Sequence, residues 1–337
     1  MSSLPDGLLE DGAWFRVEEA ASASAVRRAA ERLATTLAML ERRRADLSIL
    51  VAEAAGNLVK HADQGVMLVR AVRAGDEAGV EIIAVDSGPG MTDVLRSAGD
   101  GHSTAGTLGI GLGAILRQAT WSDLHSVPGK GTVLAAQVWP ATAPAPTGVS
   151  GLIRPLTGEP VSGDGYATRT IDGRRQVLVV DGLGHGPLAA TAARAAVRAF
   201  EQAPPSAPAV LLDLLHRALS HTRGAAAAIA ELDPETAVLR YAGLGNIAGS
   251  TFVPGAARRG LVSLPGIAGH QKRQIRQFEY PFPADAVLLM HTDGVVDRWT
   301  PTDYPGLLTR SPQVIAATVL RDAGTRRDDA GVLVVKA

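Results

Sequence analysis

Apolar residues recur at helical spacing in two stretches near the start of the chain and in two more in its second half. The first two run from about Glu18 to Leu40 and from about Asp46 to Ala62. The later two run from about Pro187 to Phe200 and from Ala209 to His221. This spacing predicts four amphipathic helices, each with one apolar face turned toward a core.

Short apolar runs between turn-forming residues predict the strands. In the first half they cover residues 65–72 and 80–86, and a later pair lies around residues 123–127 and 131–139. A glycine-opened helix, LGIGLGAILRQA, lies between these pairs. The order helix, helix, sheet, helix, sheet predicts an α/β sandwich with its helices on one face.

The second half is richer in strand-like runs, and its two helices are inserted among them. The runs are LIRPL, GYATRTI, RQVLVVD, AAAAIAEL, AVLRYAGLG, IAGSTFV, AVLLMHTDG and GVLVVK. This pattern predicts stacked sheets with helices outside, that is, a two-sheet β-sandwich flanked by helices. The fold class of the whole chain is therefore α/β in the broad sense, or α+β.

A proline-rich segment, ATAPAPTGV at residues 141–149, separates the two patterns. Proline removes backbone donors and disfavours helix, so we expect a short extended linker. At about 150 residues per domain, a chain of 337 residues is expected to form two domains. We place them at residues 1–140 and 150–337.

Composition narrows the classes of partner. With 33 basic and 34 acidic residues the formal net charge is −1, which gives no general reason to expect nucleic acid or an anionic membrane. The absence of cysteine excludes disulfides, iron–sulfur clusters and thiol catalysis. The first residues lack the features of a signal peptide, and no window approaches 18 continuous apolar residues. We expect a soluble cytoplasmic protein.

Four segments of the first half share the features of a nucleotide site. Glu53 and Asn57 lie four positions apart on a predicted helix, so both project from one face, and their oxygens suit a magnesium ion that bridges phosphates. Asp86 follows a strand in DSGPGM, where its carboxylate can accept a hydrogen bond from an exocyclic amine. GTLGIGLG supplies bare amides at a helix start, which is a good anion site, and GKGT, with Thr132, makes a tight turn. The glycines of this set are Gly88, Gly90, Gly106, Gly109, Gly111 and Gly113.

Each of these segments alone has a plainer interpretation. A DxGxG sequence is often a loop device, and GIGLG could simply allow close helix packing. The order and spacing of all four favour the nucleotide site. Because no GxxxxGK[ST] sequence occurs, a bound triphosphate would be held by amides and metal rather than by a P-loop lysine.

Residues from about Leu47 to Pro140 resemble the GHKL ATPase fold, and within it the RsbT and RsbW serine kinases, RsbT more than RsbW. The matching segments are LSILVAEAAGNLVKHA, VDSGPGM, GHSTAGTLGIGLGAI and GKGT. The resemblance implies that Asn57 carries the magnesium of ATP, that Glu53 orients or deprotonates a substrate hydroxyl, and that Asp86 binds adenine. The glycines would wrap the phosphates. Gly56 departs from the pattern, which commonly has a bulkier basic residue there, and this makes phosphoryl transfer less secure than ATP binding.

An aspartate set marks the second half. Asp164 lies in SGDGY, Asp181 in VLVVDGLGHG, Asp293 in LLMHTDG, and Asp328 with Asp329 in RRDDAG. Carboxylates at strand ends can hold two divalent ions, which generate hydroxide near neutral pH and clamp a phosphoryl oxygen. The plainer alternative is that Asp-Gly pairs make hairpin turns.

The DGLGHG loop is harder to explain as a turn, since three glycines before a long helix are costly unless the backbone is closely approached. His185 lies in this loop and could ligate zinc. No second histidine has ligand spacing, so we favour a role at the start of the helix or behind the ligands. The other histidines that we considered, His61, His102, His216, His221 and His291, are assigned to packing or surface.

The segment from about Gly151 to Ala337 resembles the metal-dependent serine/threonine phosphatases of the SpoIIE and RsbX type. VSGDGY, VVDGLGHGPLAA, YAGLGNIAG, HTDGVVD and RRDDAGVLVV occur in the order of that family. The resemblance implies two Mg²⁺ or Mn²⁺ ions. Their ligands would be Asp164, Asp181, the Gly182 carbonyl, Asp293 and Asp328, and Asn246 would lie near the substrate.

Together the resemblances predict a partner-switching regulator that combines an ATP-binding serine kinase domain with a phosphatase. The substrate they imply is a serine or threonine on a STAS-domain antagonist or anti-sigma-type protein, and a homodimer is compatible with this assignment. Two alternatives stay open. The first half could sense ATP and regulate the phosphatase, or it could dock a partner without catalysis.

Overall fold

The structure, a computed structural model, describes residues 12–92, 111–144, 148–272, 274–297 and 299–337. It divides into two compact units. Unit 1 consists of Met1–Pro146 and Thr300–Arg321, and unit 2 of Thr147–Trp299 and Asp322–Ala337. The described residues form six α-helices: α1 (Ala20–Thr36), α2 (Glu41–His61), α3 (Gly111–Gln118), α4 (Pro187–Gln202), α5 (Pro208–Ala218) and α6 (Pro312–Ala323). None of them is long and apolar enough to cross a membrane.

Unit 1 is built on one antiparallel sheet in the order β1-β2-β3-β5-β4. Its strands are β1 (Ala13–Arg16), β2 (Val66–Ala74), β3 (Glu77–Val85), β4 (Trp121–Val127) and β5 (Gly131–Val138). Alternate residues of the strands, such as Val80 and Ile82, join Leu50 of α2 and Ile115 of α3 in one buried cluster. Helices therefore cover one face of the sheet, as the element order predicts.

The first two helices differ in their limits from the sequence prediction. α1 ends at Thr36, because Ala38 adopts a left-handed conformation (φ 52°) that stops the helix. α2 begins at Glu41, before the first apolar residue of its pattern, since the polar run ERRRAD continues the helix without contributing to the buried face. The strand β1 was not predicted, because four residues at a sheet edge are too short for a clear alternation.

A second difference is larger. Sequence patterning predicted nothing between the strand at Asp293 and the end of the chain except the last strand. The structure places two short 3-10 turns, Pro301–Asp303 and Leu307–Thr309, and the helix α6 there. α6 buries Val314, Ile315 and Leu320, which lie on different sides of the helix, so it is buried around most of its circumference.

Unit 2 is a pair of sheets with two helices on one of them. The first sheet has the order β13-β10-β9-β8-β7, with β16 on β10, and the second has the order β12-β11-β17-β18-β6; β14 and β15 form a separate ribbon. The strands are β6 (Val149–Arg154), β7 (Asp164–Ile171), β8 (Arg174–Gly182), β9 (Ala225–Asp233), β10 (Val238–Leu244), β11 (Ala248–Phe252), β12 (Arg259–Gly260), β13 (Ser263–Leu264), β14 (Gly266–Ile267), β15 (Gln271–Lys272), β16 (Phe278–Pro281), β17 (Val287–His291) and β18 (Ala330–Lys336).

The alternation of side chains along β8 explains how this unit is layered. Val177 and Val179 join a cluster with Leu288 of β17 on the other sheet, so they form the core between the two sheets. Leu178 and Val180 point to the opposite face and join the cluster made by the helices α4 and α5. The predicted two-sheet sandwich with flanking helices is confirmed.

Candidate functional sites

Two of the predicted metal ligands face each other across a pair of strands in unit 2. Asp164 starts β7 and Asp181 lies near the end of β8, and the antiparallel register pairs them directly. Directly opposite side chains in a sheet have Cβ atoms about 4.5–5.5 Å apart. Gly182 follows Asp181, and a Cβ at Gly182 would lie 2.3 Å from the carbonyl oxygen of Ala189. Only glycine lets the strand end lie so close to α4.

The other two ligand candidates flank neighbouring strands of the second sheet. Asp293 follows β17, Asp328 precedes β18, and these two strands pair antiparallel. Asn246 donates a hydrogen bond from Nδ2 to Asp293 Oδ2 over 2.7 Å. A Cβ at Gly294 would lie 1.7 Å from the carbonyl oxygen of Asp329, so the glycine of this Asp-Gly pair permits backbone contact.

A threonine connects the second sheet to the first carboxylate pair. Thr292 is fully buried and donates from Oγ1 to Asp164 Oδ2 over 2.7 Å. The same Oγ1 accepts from the Gly331 amide over 2.9 Å. The amide thus orients the hydroxyl, and the hydroxyl orients the carboxylate. Sequence reasoning missed this residue, although it stands beside Asp293 in the HTDG segment.

The two adjacent aspartates of RRDDAG have different surroundings. Asp329 is buried and accepts from the amides of Leu156 and Gly163, each over 2.7 Å, which ties down the loop before Asp164. Within the described residues, Asp328 accepts only from the amide of Asp329, over 2.9 Å. Asp328 is therefore the better metal-ligand candidate of the two.

Burial and mutual repulsion shift the protonation of these carboxyl groups. Burial raises the pKa of Asp164 well above its usual range, and Asp181 raises it further. Burial, then the charges of Asp293 and Asp328, raise the pKa of Asp181 to about 7. Burial and Asp328 also raise the pKa of Asp293. Like charges held this close favour either a bound proton or a bound cation.

This donor set fits divalent cations with water completing their coordination. In the described part of the chain, no three acidic or histidine side chains are grouped tightly enough to enclose one ion. Mg²⁺, however, usually keeps several waters and takes only one or two carboxylates, and Mn²⁺ suits the same oxygen ligands. The carboxylates are thus better suited to hydrated ions than to an all-protein cage.

His185 stands apart from the carboxylates in its hydrogen bonding. Its side chain is 60% exposed, and Nδ1 lies 2.9 Å from Glu159 Oε1. Its neighbour Gly186 (φ 73°) caps α4, where Glu159 also approaches. The structure thus places His185 at the start of a helix, within hydrogen-bond distance of Glu159.

In unit 1, the structure puts Glu53 and Asn57 at the border of the helix's buried face. Both are partly exposed, whereas Leu50, Ala54 and Leu58 of α2 belong to the core. Among the described residues, no atom outside the backbone of α2 and the two chain neighbours lies within 4 Å of the position that a Cβ on Gly56 would occupy. Among the described residues, no hydrogen bond joins Glu53 or Asn57 to Asp86.

The loop after β3 holds Asp86 through its backbone. Its amide donates to the Thr132 carbonyl over 2.9 Å, and its Oδ1 accepts from the Gly88 amide over 2.8 Å. A Cβ on Gly90 would lie 2.2 Å from the Val127 carbonyl oxygen, at φ 67°, so this turn requires glycine. Burial raises the pKa of Asp86. Its Oδ2 has no hydrogen-bond partner among the described residues and is available to a ligand.

The glycine-rich segment is only partly described. Gly106 and Gly109 lie outside the described residues. Gly111 is the first described residue of α3, and Gly113 is buried in the first turn of that helix.

Family comparisons divide the chain as the motifs do. Residues 171–337 match the family model described as Stage II sporulation protein E (SpoIIE). Residues 17–137 match the model described as histidine kinase-like ATPase domain. The first match contains Asp181, Asp293 and Asp328 but begins after Asp164.

Individual relatives and solved structures are similar to parts of the chain. The serine/threonine-protein kinase RsbT of Bacillus subtilis (strain 168) is 36% identical over 95 residues, which cover 28% of this chain and 71% of RsbT. A chain from the solved structure "The bacterial stressosome: a modular system that has been adapted to control secondary messenger signaling" is 28% identical, with a TM-score of 0.52. The match covers 56% of this chain and 98% of that chain. A chain from "Crystal structure of RsbX in complex with magnesium in space group P1" is 18% identical, with a TM-score of 0.49, over 57% of this chain and 97% of its own length.

Proposed function

Because the chain belongs to the RsbT family of histidine kinase-like ATPase domains and also carries a SpoIIE-type PP2C phosphatase domain, we propose that it removes phosphate from a STAS-domain antagonist protein. The phosphate is carried on serine or threonine. Unit 1 binds ATP with one Mg²⁺ and transfers phosphate to the same class of protein. The chain is thus a partner-switching regulator with two opposed activities. Its domains are proposed at residues 1–140 and 150–337, with Thr300–Arg321 added to the first by its contacts.

The observation that carries the phosphatase proposal is the group of repelling carboxylates at the strand ends of unit 2. Asp164, Asp181 and Asp293 all have raised pKa values, with burial as the largest cause and neighbouring aspartates as a further one. Bound divalent cations would offset the repulsion among these carboxylates and stabilise their ionised form. Two Mg²⁺ or Mn²⁺ ions would supply a hydroxide nucleophile and neutralise the phosphoryl oxygens.

The protein's own residues hold and orient these ligands. Asp164, Asp181, Asp293 and Asp328, with the Gly182 carbonyl, are proposed to bind the ions directly. Asp164 is oriented by the Thr292 hydroxyl, and one oxygen of Asp293 is held by Asn246. Asn246 is also placed to meet a substrate that approaches Asp293. Such outer partners fix ligand orientation, and their loss typically costs 10–100-fold in metal affinity or activity.

In unit 1, the proposed roles follow the family pattern. Asn57 holds the magnesium ion of ATP, and Glu53 accepts the proton of the substrate hydroxyl as phosphate is transferred. Asp86 binds the adenine amine through its available Oδ2. Gly88, Gly90 and Thr132 shape the loops around the nucleotide, and amides at the start of α3 meet the phosphates.

The phosphatase proposal is tested with a serine-phosphorylated STAS-domain protein and Mn²⁺, followed by mass spectrometry. We expect loss of phosphate with the unaltered chain and none with Asp181→Ala or Asp293→Ala. Asp172→Asn is the matched control, since Asp172 lies exposed in the turn between β7 and β8. Manganese-dependent hydrolysis that persists in both alanine variants would contradict the proposal.

A second candidate for unit 1 is ATP sensing without transfer. Gly56, beside Asn57, favours it, because the RsbT-like pattern commonly has a bulkier basic residue at this position. Radiolabelled γ-phosphate that reaches a STAS-domain protein, and fails to do so with Asn57→Ala, supports the kinase. ATP binding with no transfer supports the sensor, and no ATP binding supports a docking role alone.

A further inference from the structure

The segment Thr300–Arg321 is encoded between two proposed phosphatase ligands but belongs to the other unit. In sequence it lies between Asp293 and Asp328, whereas its contacts group it with unit 1. The chain leaves unit 2 after Trp299 and returns to it at Asp322. Unit 1 is therefore discontinuous, and part of it is supplied by the phosphatase half of the sequence.

Several specific contacts attach this segment to the edge strand β4 and its turn. Asp123 accepts from the Ser311 amide over 2.7 Å, with Arg310 Nη1 3.4 Å from its other oxygen. His125 Nε2 lies 3.0 Å from the Pro305 carbonyl oxygen. The Lys130 ammonium lies 4.3 Å from the ring centre of Tyr304. These contacts bring the end of the segment to the loop that carries Asp86.

Arg321, the last residue of the segment, contacts that loop directly. Its Nη1 donates to the backbone carbonyl oxygen of Asp86 over 3.0 Å. The positive charge of Arg321 also lowers the pKa of the Asp86 carboxyl, against the larger effect of burial. On the other side, a Cβ at Gly131 would lie 2.1 Å from the same carbonyl oxygen, so β5 and Arg321 together enclose it.

We propose that Arg321 is a positioning residue of the nucleotide site, which holds the Asp86 backbone so that its carboxylate can select adenine. The amide of Asp86 is held by Thr132, its Oδ1 by Gly88 and its carbonyl by Arg321, and Oδ2 remains for the base. This inference rests on the proposed binding of ATP and adds a residue that no nucleotide motif of the first half contains.

A purely structural role predicts a different result. Arg321 lies in the last turn of α6, where a positive charge is favourable to any helix. If that were the whole role of Arg321, its loss would destabilise the fold and would lower the affinity for all nucleotides equally. If Arg321 positions Asp86, its loss must lower the affinity for ATP more than the affinity for GTP, because guanine does not carry its exocyclic amine at the same ring position as adenine.

The test uses the full chain and the fluorescent probe MANT-ATP, displaced by ATP or by GTP. We expect Arg321→Met to lower the affinity for ATP about tenfold, since it removes a charge-assisted hydrogen bond. The affinity for GTP should fall much less. Arg321→Lys keeps a charged donor and should recover most of the affinity. Arg28→Met is the matched control, because Arg28 is exposed on α1 of the same unit. Thermal unfolding without nucleotide checks that each variant is folded.

The outcomes separate this inference from the proposed function. If the unaltered chain does not bind MANT-ATP, ATP binding itself is wrong. If it binds and Asp86→Asn weakens it, while Arg321→Met matches Arg28→Met, only the role of Arg321 is wrong. An equal loss of ATP and GTP in Arg321→Met would also overturn it. Should Arg321→Met fail to fold, Arg321→Gln decides: a larger loss of affinity for ATP than for GTP supports the proposal, and an equal loss overturns it.

Discussion

The two units hold their candidate functional groups in different ways. Unit 2 collects carboxylates at strand ends, where burial and like charge raise the pKa values of three of them. Unit 1 spreads its groups over the border of a helix face and a loop. There burial raises the pKa of Asp86, and a hydrogen bond holds each of its backbone amide and carbonyl groups. The site in unit 2 thus depends on negative charges that a bound cation would neutralise. The site in unit 1 depends on the backbone geometry that orients the carboxylate of Asp86.

The strongest test of this contrast is the neutralisation of Asp181. Asp181→Asn keeps the shape of the side chain but removes the charge that is central to the proposed metal site. We expect phosphatase kcat to fall about a thousandfold, because metal ions contribute several kcal/mol to such reactions. ATP affinity should not change. Steady-state hydrolysis of a phosphoserine peptide and MANT-ATP titration measure the two effects, and a loss of ATP binding here would contradict the separation.

The corresponding change in unit 1 is Asp86→Ala. It should lower ATP affinity roughly 30-fold, since a hydrogen bond to a charged group contributes about 1.5–3 kcal/mol. Manganese-dependent phosphatase activity without nucleotide should persist. Isothermal titration calorimetry gives the affinity, with Asp76→Asn, in the exposed turn between β2 and β3, as control. Equal ATP binding by both variants would show that Asp86 does not meet the base.

A smaller effect is expected where unit 2 uses an uncharged group. Thr292→Val removes the hydroxyl that orients Asp164, whereas Thr292→Ser keeps it. We expect Thr292→Val to lower the affinity for Mn²⁺ roughly tenfold, as for other residues that orient metal ligands. The affinity of Thr292→Ser should stay near that of the unaltered protein. The Mn²⁺ dependence of phosphatase activity measures this. Equal affinities in the two variants would exclude an orienting role for the hydroxyl.

The raised pKa values also predict how stability depends on pH. In the metal-free protein these carboxyls bind protons more tightly when folded than when unfolded. Their contribution to stability is therefore present at low pH and is lost as the pH rises through the folded pKa, which for Asp181 is about 7. With a chelator present, we expect Tm to fall by a few degrees between pH 5 and 8. Mn²⁺ should raise Tm more at pH 8 than at pH 5.

Asp181→Asn supplies the control for that experiment, because it removes one of the titrating groups. Its Tm in chelator should fall less between pH 5 and 8 than that of the unaltered protein. A Tm of the unaltered, metal-free protein that rises over this range would contradict the assignment of raised pKa values.

The smallest effect concerns a glycine in unit 1. Gly56→Ala lies within α2, where no atom of the described residues outside the helix backbone and the two chain neighbours would come within 4 Å of the new Cβ. Alanine should stabilise the helix by about 0.5–1 kcal/mol relative to glycine. Differential scanning calorimetry should show a Tm higher by about 2–4 °C. A lower Tm would mean that glycine is needed here for a reason other than space.

Local sequence patterns predicted the architecture of both units because their elements are long and strongly patterned. They also identified the Asp-Gly pairs, whose glycines allow close backbone contact at Gly182 and Gly294. Thr292 could have been suspected only from its place beside Asp293. Asp329 accepts hydrogen bonds from the amides of Leu156 and Gly163, which are distant in sequence. No local pattern therefore predicts this role.

The segment Thr300–Arg321 escaped prediction for a different reason. Its helix α6 is apolar along most of its length and gives no amphipathic spacing, and the attachment of that helix to unit 1 depends on contacts such as Ser311 with Asp123. Such pairs are made by the fold and have no signature in either stretch of sequence. A division of the chain at one linker therefore could not include it.

The return of the chain to unit 1 has a practical consequence for cloning. A fragment that ends at residue 146 carries every ATP-binding motif but lacks the residues that support β4 and the Asp86 loop. A fragment that begins at residue 147 carries α6 without the unit to which most of it belongs. Recombinant halves cut at the linker are thus expected to express poorly and to underestimate both activities. Reliable isolation of unit 1 requires residues 300–321 to be grafted back through a designed connection.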